Sequence, residues 1–175
     1  MKKHLRQLFL IFSLTSISVL TWGQSCSCIS GIKDKEKGVE IVSGITNTSD
    51  YYVLLVQKIM NYEDTTISPK YRLFLNVPTK VLFSDSSLKT FSTIELKLLD
   101  NSKLILDNVE YKNNPLGDYC TLGFWVYVTE ETIKTLSINP IVTITVKDII
   151  SSSFTSKRQK EQQKIYNCLY IRKPK

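Results

Sequence analysis

The chain has 175 residues, with 23 basic against 16 acidic side chains and a formal net charge of +7. Its one histidine, His4, stands among the first few residues. The rest of the chain therefore has no Ser-His-Asp triad, Cys-His pair, H-E-x-x-H zinc site or imidazole general base.

The N-terminus reads as a secretory signal peptide. Lys2, Lys3 and Arg6 form a positive start, Leu8 through Leu20 an apolar stretch too short to span a bilayer, and Gly23 and Ser25 supply small residues. Residues 1–23 are the expected leader, with cleavage as late as residue 25, and 24–175 a single β-rich domain. The leader takes three of the 23 basic residues and none of the 16 acidic ones, leaving about +4 on the exported part. That charge permits weak attraction to anionic surfaces and does not imply nucleic acid. The expected location is secreted or periplasmic. The alternative is a lipid anchor on Cys26, although Gly23 stands where an aliphatic residue is usual for that processing.

Four cysteines follow the leader: Cys26, Cys28, Cys120 and Cys168. An even number in an exported chain predicts two disulfides. Cys26 and Cys28 are too close in sequence to bridge each other without strain. Each is therefore expected to cross the fold, one to Cys120 and one to Cys168. The C-x₂-C knuckles of structural zinc sites are absent, and no metal is expected.

Residues 29–50, with mixed charges at Lys33 to Lys37, show no clear period and predict a loop or short irregular helix. Tyr51 to Ile59 is a continuous apolar run, a candidate central strand. Tyr71, Leu73, Leu75 and Val77 alternate with polar neighbours and predict a half-buried strand. Pro78 cannot donate to a ladder, so a bulge or edge is expected there before Lys80 to Phe83 resume. Ile94, Leu96 and Leu98 face Leu104 and Leu106 across Asp100-Asn101-Ser102, which predicts a β-hairpin with Leu96 inward. Asn113 to Gly117 reads as a loop, and Tyr119 to Val128 as a long aromatic strand.

Thr129 is placed to cap a short helix through Leu136. Glu130 and Glu131 suit its positive end, and Asn139-Pro140 stops it. Residues 140–146 predict a strand, and about 155–171 a closing helix. Ile165, Cys168 and Leu169 form that helix's apolar stripe, with Lys157, Arg158, Lys160 and Lys164 on its solvated side. The expected class is α+β: a strand-rich antiparallel sheet or partly closed barrel, a short helix, and a C-terminal helix packed on the sheet.

Candidate chemistry is sparse. S-x-x-K occurs at Ser30/Lys33 and Ser86/Lys89 without the companion motifs of Ser-Lys enzymes. Carboxylate pairs occur at Glu63-Asp64, Asp107/Glu110 and Glu130-Glu131, and the last is accounted for by helix-dipole compensation. Trp125 alternates with Phe124 and Val126 and should point away from their face. With Tyr127 it is the candidate ligand-facing residue, whereas the other strand aromatics read as packing.

The Cys26-Ser27-Cys28 start resembles the netrin-like module of tissue inhibitors of metalloproteinases. That likeness implies an OB-type barrel with both cysteines bridged inward. It also implies protease inhibition by Cys26, whose amino group and carbonyl would chelate the protease zinc if cleavage follows Ser25. From Tyr119 onward the strand-helix-strand-helix order, with its Thr129-Glu130-Glu131 helix start, resembles small secreted bacterial proteins with no assigned activity. The function expected is an exported non-catalytic binding or structural module. Its partner would be an unidentified protein or glycan, with no cofactor and with weak anionic-surface contact through Lys157, Arg158, Lys160 and Lys164. The alternatives are the netrin-like inhibitor and an enzyme working without histidine.

Overall fold

The computed structural model describes residues 26–79, 93–116, 119–146 and 150–173, without the side chains of 79, 113–116, 119 and 120. The expected leader and the expected continuation at Lys80 to Phe83 lie outside these residues. The architecture is α+β. Strands β1 (Ile29–Asp34), β2 (Val39–Asn47), β3 (Val53–Asn61), β4 (Lys70–Thr79), β7 (Glu110–Leu116) and β8 (Tyr119–Val128) form an open antiparallel sheet in the order β1-β2-β3-β4-β8-β7. A second antiparallel sheet, β10-β9-β5-β6, contains β5 (Ile94–Leu98), β6 (Lys103–Leu106), β9 (Ile141–Val146) and β10 (Ile150–Ser153). Two described helices complete the fold, α1 (Glu130–Ile138) and α2 (Ser156–Ile171).

Period-two burial drives the assembly. Leu54, Val56, Leu73, Leu75, Phe124 and Val126 turn one face of the large sheet inward, each no more than 4% exposed. The small sheet covers part of that face: Leu54, Leu73 and Leu75 meet Ile94, Leu96, Leu106 and Ile144 around a minute void. The helices pack against more of it, α2 on β1, β2 and β3 and α1 on β4. Ile165, Cys168 and Leu169 of α2 are buried as the sequence pattern requires, and Ile165 packs directly over Gly44 of β2. Gln162, wholly buried, uses its amide like a strand backbone: Oε1 accepts from Ile141 N at 3.0 Å and Nε2 donates to Ile141 O at 3.4 Å. These bonds tie α2 to the start of β9 and leave neither polar atom unsatisfied.

The hairpin is formed as read, with Ile94 opposite Leu106 and Leu96 opposite Leu104. Asn101 occupies its turn in the left-handed region, φ 67°. The Thr129 cap is as expected, accepting from Thr132 N, and Thr155, expected only as the approximate start of the closing helix, caps α2 by accepting from Arg158 N. Pro78 causes no bulge. β4 continues through it along β8, while pairing with β3 has already ended at Asn76, so the missing N–H faces no ladder on that side.

Two readings are corrected. Residues 29–47 are not a loop but a hairpin, β1-β2, turned at Gly38 with φ 62°. The inward face of β2 is Glu40, Val42, Gly44 and Thr46. Only one of these four is apolar, so the period-two signal is hidden. Residues 113–116 are also strand rather than loop. Pro115 is accommodated because β7 is the sheet edge.

Candidate functional site

The outward face of the large sheet carries an ordered array set by strand register. One row runs across it as Ile45, Leu55, Phe74, Trp125 and Glu110, each opposite the next on the neighbouring strand. Phe124 and Val126 are buried, so Trp125 points to the other face, as its alternation predicts. It stacks on Phe74 with ring centroids 6.3 Å apart and planes 27° from parallel. Its indole Nε1 donates to Glu110 Oε2 at 2.8 Å, which fixes the ring's rotation.

The adjacent row is Ser43, Gln57, Arg72 and Tyr127. Arg72 Nε donates to Gln57 Oε1 at 3.0 Å, and Arg72 Nη2 donates to the same oxygen. Gln57 Nε2 in turn donates to Ser43 Oγ at 3.2 Å. Gln57 thus takes two of the five guanidinium N–H groups and holds the planar fork against the sheet. Leu55, Gln57, Arg72, Phe74 and Trp125 enclose a shallow depression of about 320 Å³. Tyr127 stands 56% exposed beside it. The structure therefore brings the two candidate ligand-facing residues onto one face. It adds Phe74, Arg72, Gln57 and Glu110, whose roles depend on cross-strand neighbours no linear pattern states.

A cavity of about 480 Å³ lies where the end of α2 meets β3, the 61–69 loop and the start of α1. Its chemistry is that of a latch. Lys58, 5% exposed, donates from Nζ to the carbonyls of Tyr170 at 3.2 Å and Arg172 at 2.7 Å. It thereby places a cation at the negative end of α2. Burial lowers the Lys58 pKa, and Glu130 opposes that shift. Arg172 Nη2 pairs with buried Glu40 Oε1 at 3.0 Å. Lys58 and Arg172 on this wall thus serve to hold the helix end to β2 and β3. The buried charges explain why the burial pattern of β2 and β3 eluded sequence analysis.

Cys26 and Cys168 form a disulfide with Cα atoms 5.5 Å apart, within the relaxed range. Cys28 is a free thiol, its Sγ 3.7 Å from Cys168 Sγ. Cys120 belongs to β8, four strand spacings from β1, or about 19 Å before any offset along the strands. Its side chain lies outside the described residues. Lys157, Lys160 and Lys164 are exposed on α2, and Arg158 pairs with Glu161 at 2.6 Å.

The other candidates remain apart. Ser30 and Lys33 sit on the edge strand β1, and Ser86 and Lys89 lie outside the described residues. Glu110 is engaged by Trp125, and Asp64 by the hydroxyl and amide of Thr66, which lower its pKa. Glu130 and Glu131 occupy the first turn of α1. Among the described residues no group of three or more His, Cys, Asp or Glu is disposed to hold a metal. No protein-family model matches the chain, and neither a curated protein nor a solved structure matches it.

Proposed function

We propose that this protein is an exported, non-catalytic glycan-binding module whose ligand lies along the outward face of the large sheet. The observation that carries this reading is the Phe74–Trp125 platform bordered by the Gln57–Arg72 fork. A pyranose ring has apolar C–H faces that stack on an aromatic surface. Its equatorial hydroxyls, in turn, accept hydrogen bonds from planar amide and guanidinium N–H groups and donate them to carboxylate and amide oxygens. This depression offers both within one sheet face, and its polar groups are pre-oriented by their own hydrogen bonds. Little side-chain ordering then opposes binding. Export, read from the leader, supports the same conclusion, since polysaccharides are abundant outside the cell.

The test is affinity electrophoresis against soluble polysaccharides, neutral and uronic, with tryptophan fluorescence as a second readout. Trp22 lies in the leader, so Trp125 is the sole tryptophan of the exported domain and reports on the site itself. At least one polysaccharide should retard the wild type and shift its emission. Trp125→Ala and Phe74→Ala should abolish retardation while Ile105→Ala, exposed on the small sheet, retains it. Failure of the whole panel, or retardation that survives Trp125→Ala, would overturn the reading.

A further inference from the structure

Three sulfurs meet where the start of β1 crosses α2. The amide of Ile29 donates to the carbonyl of Cys26 at 3.3 Å, closing a turn over Ser27 and Cys28. That turn folds both N-terminal cysteines back onto Cys168, one bonded and one with its Sγ at 3.7 Å. Ile29 is held opposite Gly44, and Ile165 of α2 packs on Gly44, so the two sides of the cluster are held by the same core contact. Cys168 is 3% exposed, whereas Cys26 and Cys28 are each half-buried.

We infer that Cys26, Cys28 and Cys168 form a thiol–disulfide exchange site in which one bridge to Cys168 is shared between the two N-terminal cysteines. The step needs no external oxidant. The Cys28 thiolate attacks Sγ of Cys168, a Cys28–Cys168 bond forms, the Cys26–Cys168 bond breaks, and Cys26 leaves as thiolate to take up a proton. Two electrons stay within the one remaining disulfide, and the reverse reaction is the same attack by Cys26. Loop closure does not favour either isomer, because the pairs are separated by 142 and 140 residues. The sheet order puts β8, the strand that carries Cys120, four strands from β1.

The site has a built-in asymmetry. Among the described residues, the sulfurs beside the buried Cys168 are those of Cys26 and Cys28. External thiols or disulfides meet Cys26 or Cys28, whichever is free. This site therefore presents one thiol at its outer side and one bridge behind it, suited to forming a mixed disulfide with a small thiol or a protein cysteine.

The test is thiol mapping of the purified exported protein. One sample is held at pH 8.5 to equilibrate, then acid-quenched, alkylated with N-ethylmaleimide in denaturant at mildly acidic pH, digested and fragmented. Cleavage at Ser27 separates label on Cys26 from label on Cys28. Label should appear on both residues, within roughly tenfold of each other as expected for isomers of equal loop length, with Cys168 unlabelled. Cys26→Ser should yield a Cys28–Cys168 bridge, and Cys28→Ser should hold the Cys26–Cys168 bridge with neither partner labelled. Label on Cys28 alone after prolonged equilibration would overturn the inference. So would a Cys28–Cys120 linked peptide in the wild type, whatever the folding of the variants.

Discussion

Gly44 offers the sharpest test of how α2 is seated. A methyl group added there would overlap Cγ2 of Ile165 outright and stand 3.2 Å from its Cγ1 and 3.3 Å from its Cβ. Rotating Ile165 relieves the first two contacts but not the third, because Cβ moves only with the helix backbone. The helix must therefore retreat by a few tenths of an ångström. It is restrained by the Cys26–Cys168 bridge, by Gln162 on Ile141 and by Lys58 on its last carbonyls. Overpacking of this kind costs about 1–3 kcal/mol. Alanine returns roughly 0.4–1 kcal/mol through the unfolded state, since it has fewer conformations to lose. Gly44→Ala should thus destabilise by about 1–2 kcal/mol. Ile165→Ala alone should cost about 2–5 kcal/mol by leaving a cavity. In the double variant the new methyl enters that cavity. The two losses should then fall short of their sum by about 1 kcal/mol or more, as neighbours sharing one space do. Urea unfolding of the four proteins, with midpoint and slope both fitted, measures this. Strict additivity, or a Gly44→Ala protein at least as stable as wild type, would refute the seating of α2 on β2.

Leu96→Asp places an unpaired charge at a position with no exposure and should cost several kcal/mol. Glu95→Thr, which loses only the exposed pair with Lys103 at 2.9 Å, should change stability by less than about 1 kcal/mol; equal losses in thermal melts would reverse the hairpin's register. Burial raises the Tyr71 pKa to about 12, and its hydroxyl has no partner among the described residues. The folded state therefore holds this proton more tightly than the unfolded state, whose tyrosines titrate near about 10. The resulting stability is full below pH ~10 and is lost as pH rises toward 12. Tyr71→Phe should flatten that decline in denaturation measured at successive alkaline pH values, and an unchanged decline would contradict the assignment. Replacing Lys157, Lys160 and Lys164 together by Gln should leave the melting temperature unchanged, because all three are exposed, while reducing salt-sensitive retention on anionic vesicles.

What the sequence determined by itself was local and periodic. The Ile94–Leu106 hairpin, the Tyr119–Val128 strand, the Thr129-capped helix, the closing helix and the outward turn of Trp125 follow from alternation, capping chemistry and helical spacing. Each of these depends on residues only a few positions apart. The tertiary structure decided everything that joins distant segments. β2 buries Glu40 and Gly44 because Arg172 neutralises the first and Ile165 occupies the space beside the second. Neither partner lies within 120 residues of the position it explains, so the strand carries no apolar rhythm to read. The candidate site follows the same logic. Trp125 was legible alone, yet the platform requires Phe74 opposite it and Gln57 opposite Arg72, and register between strands is fixed by packing rather than by any one strand's sequence. The cysteines show it most plainly. Composition predicts pairing across the fold. Only the sheet order, which puts β8 four strands from β1, determines that Cys28 faces Cys168 instead of Cys120.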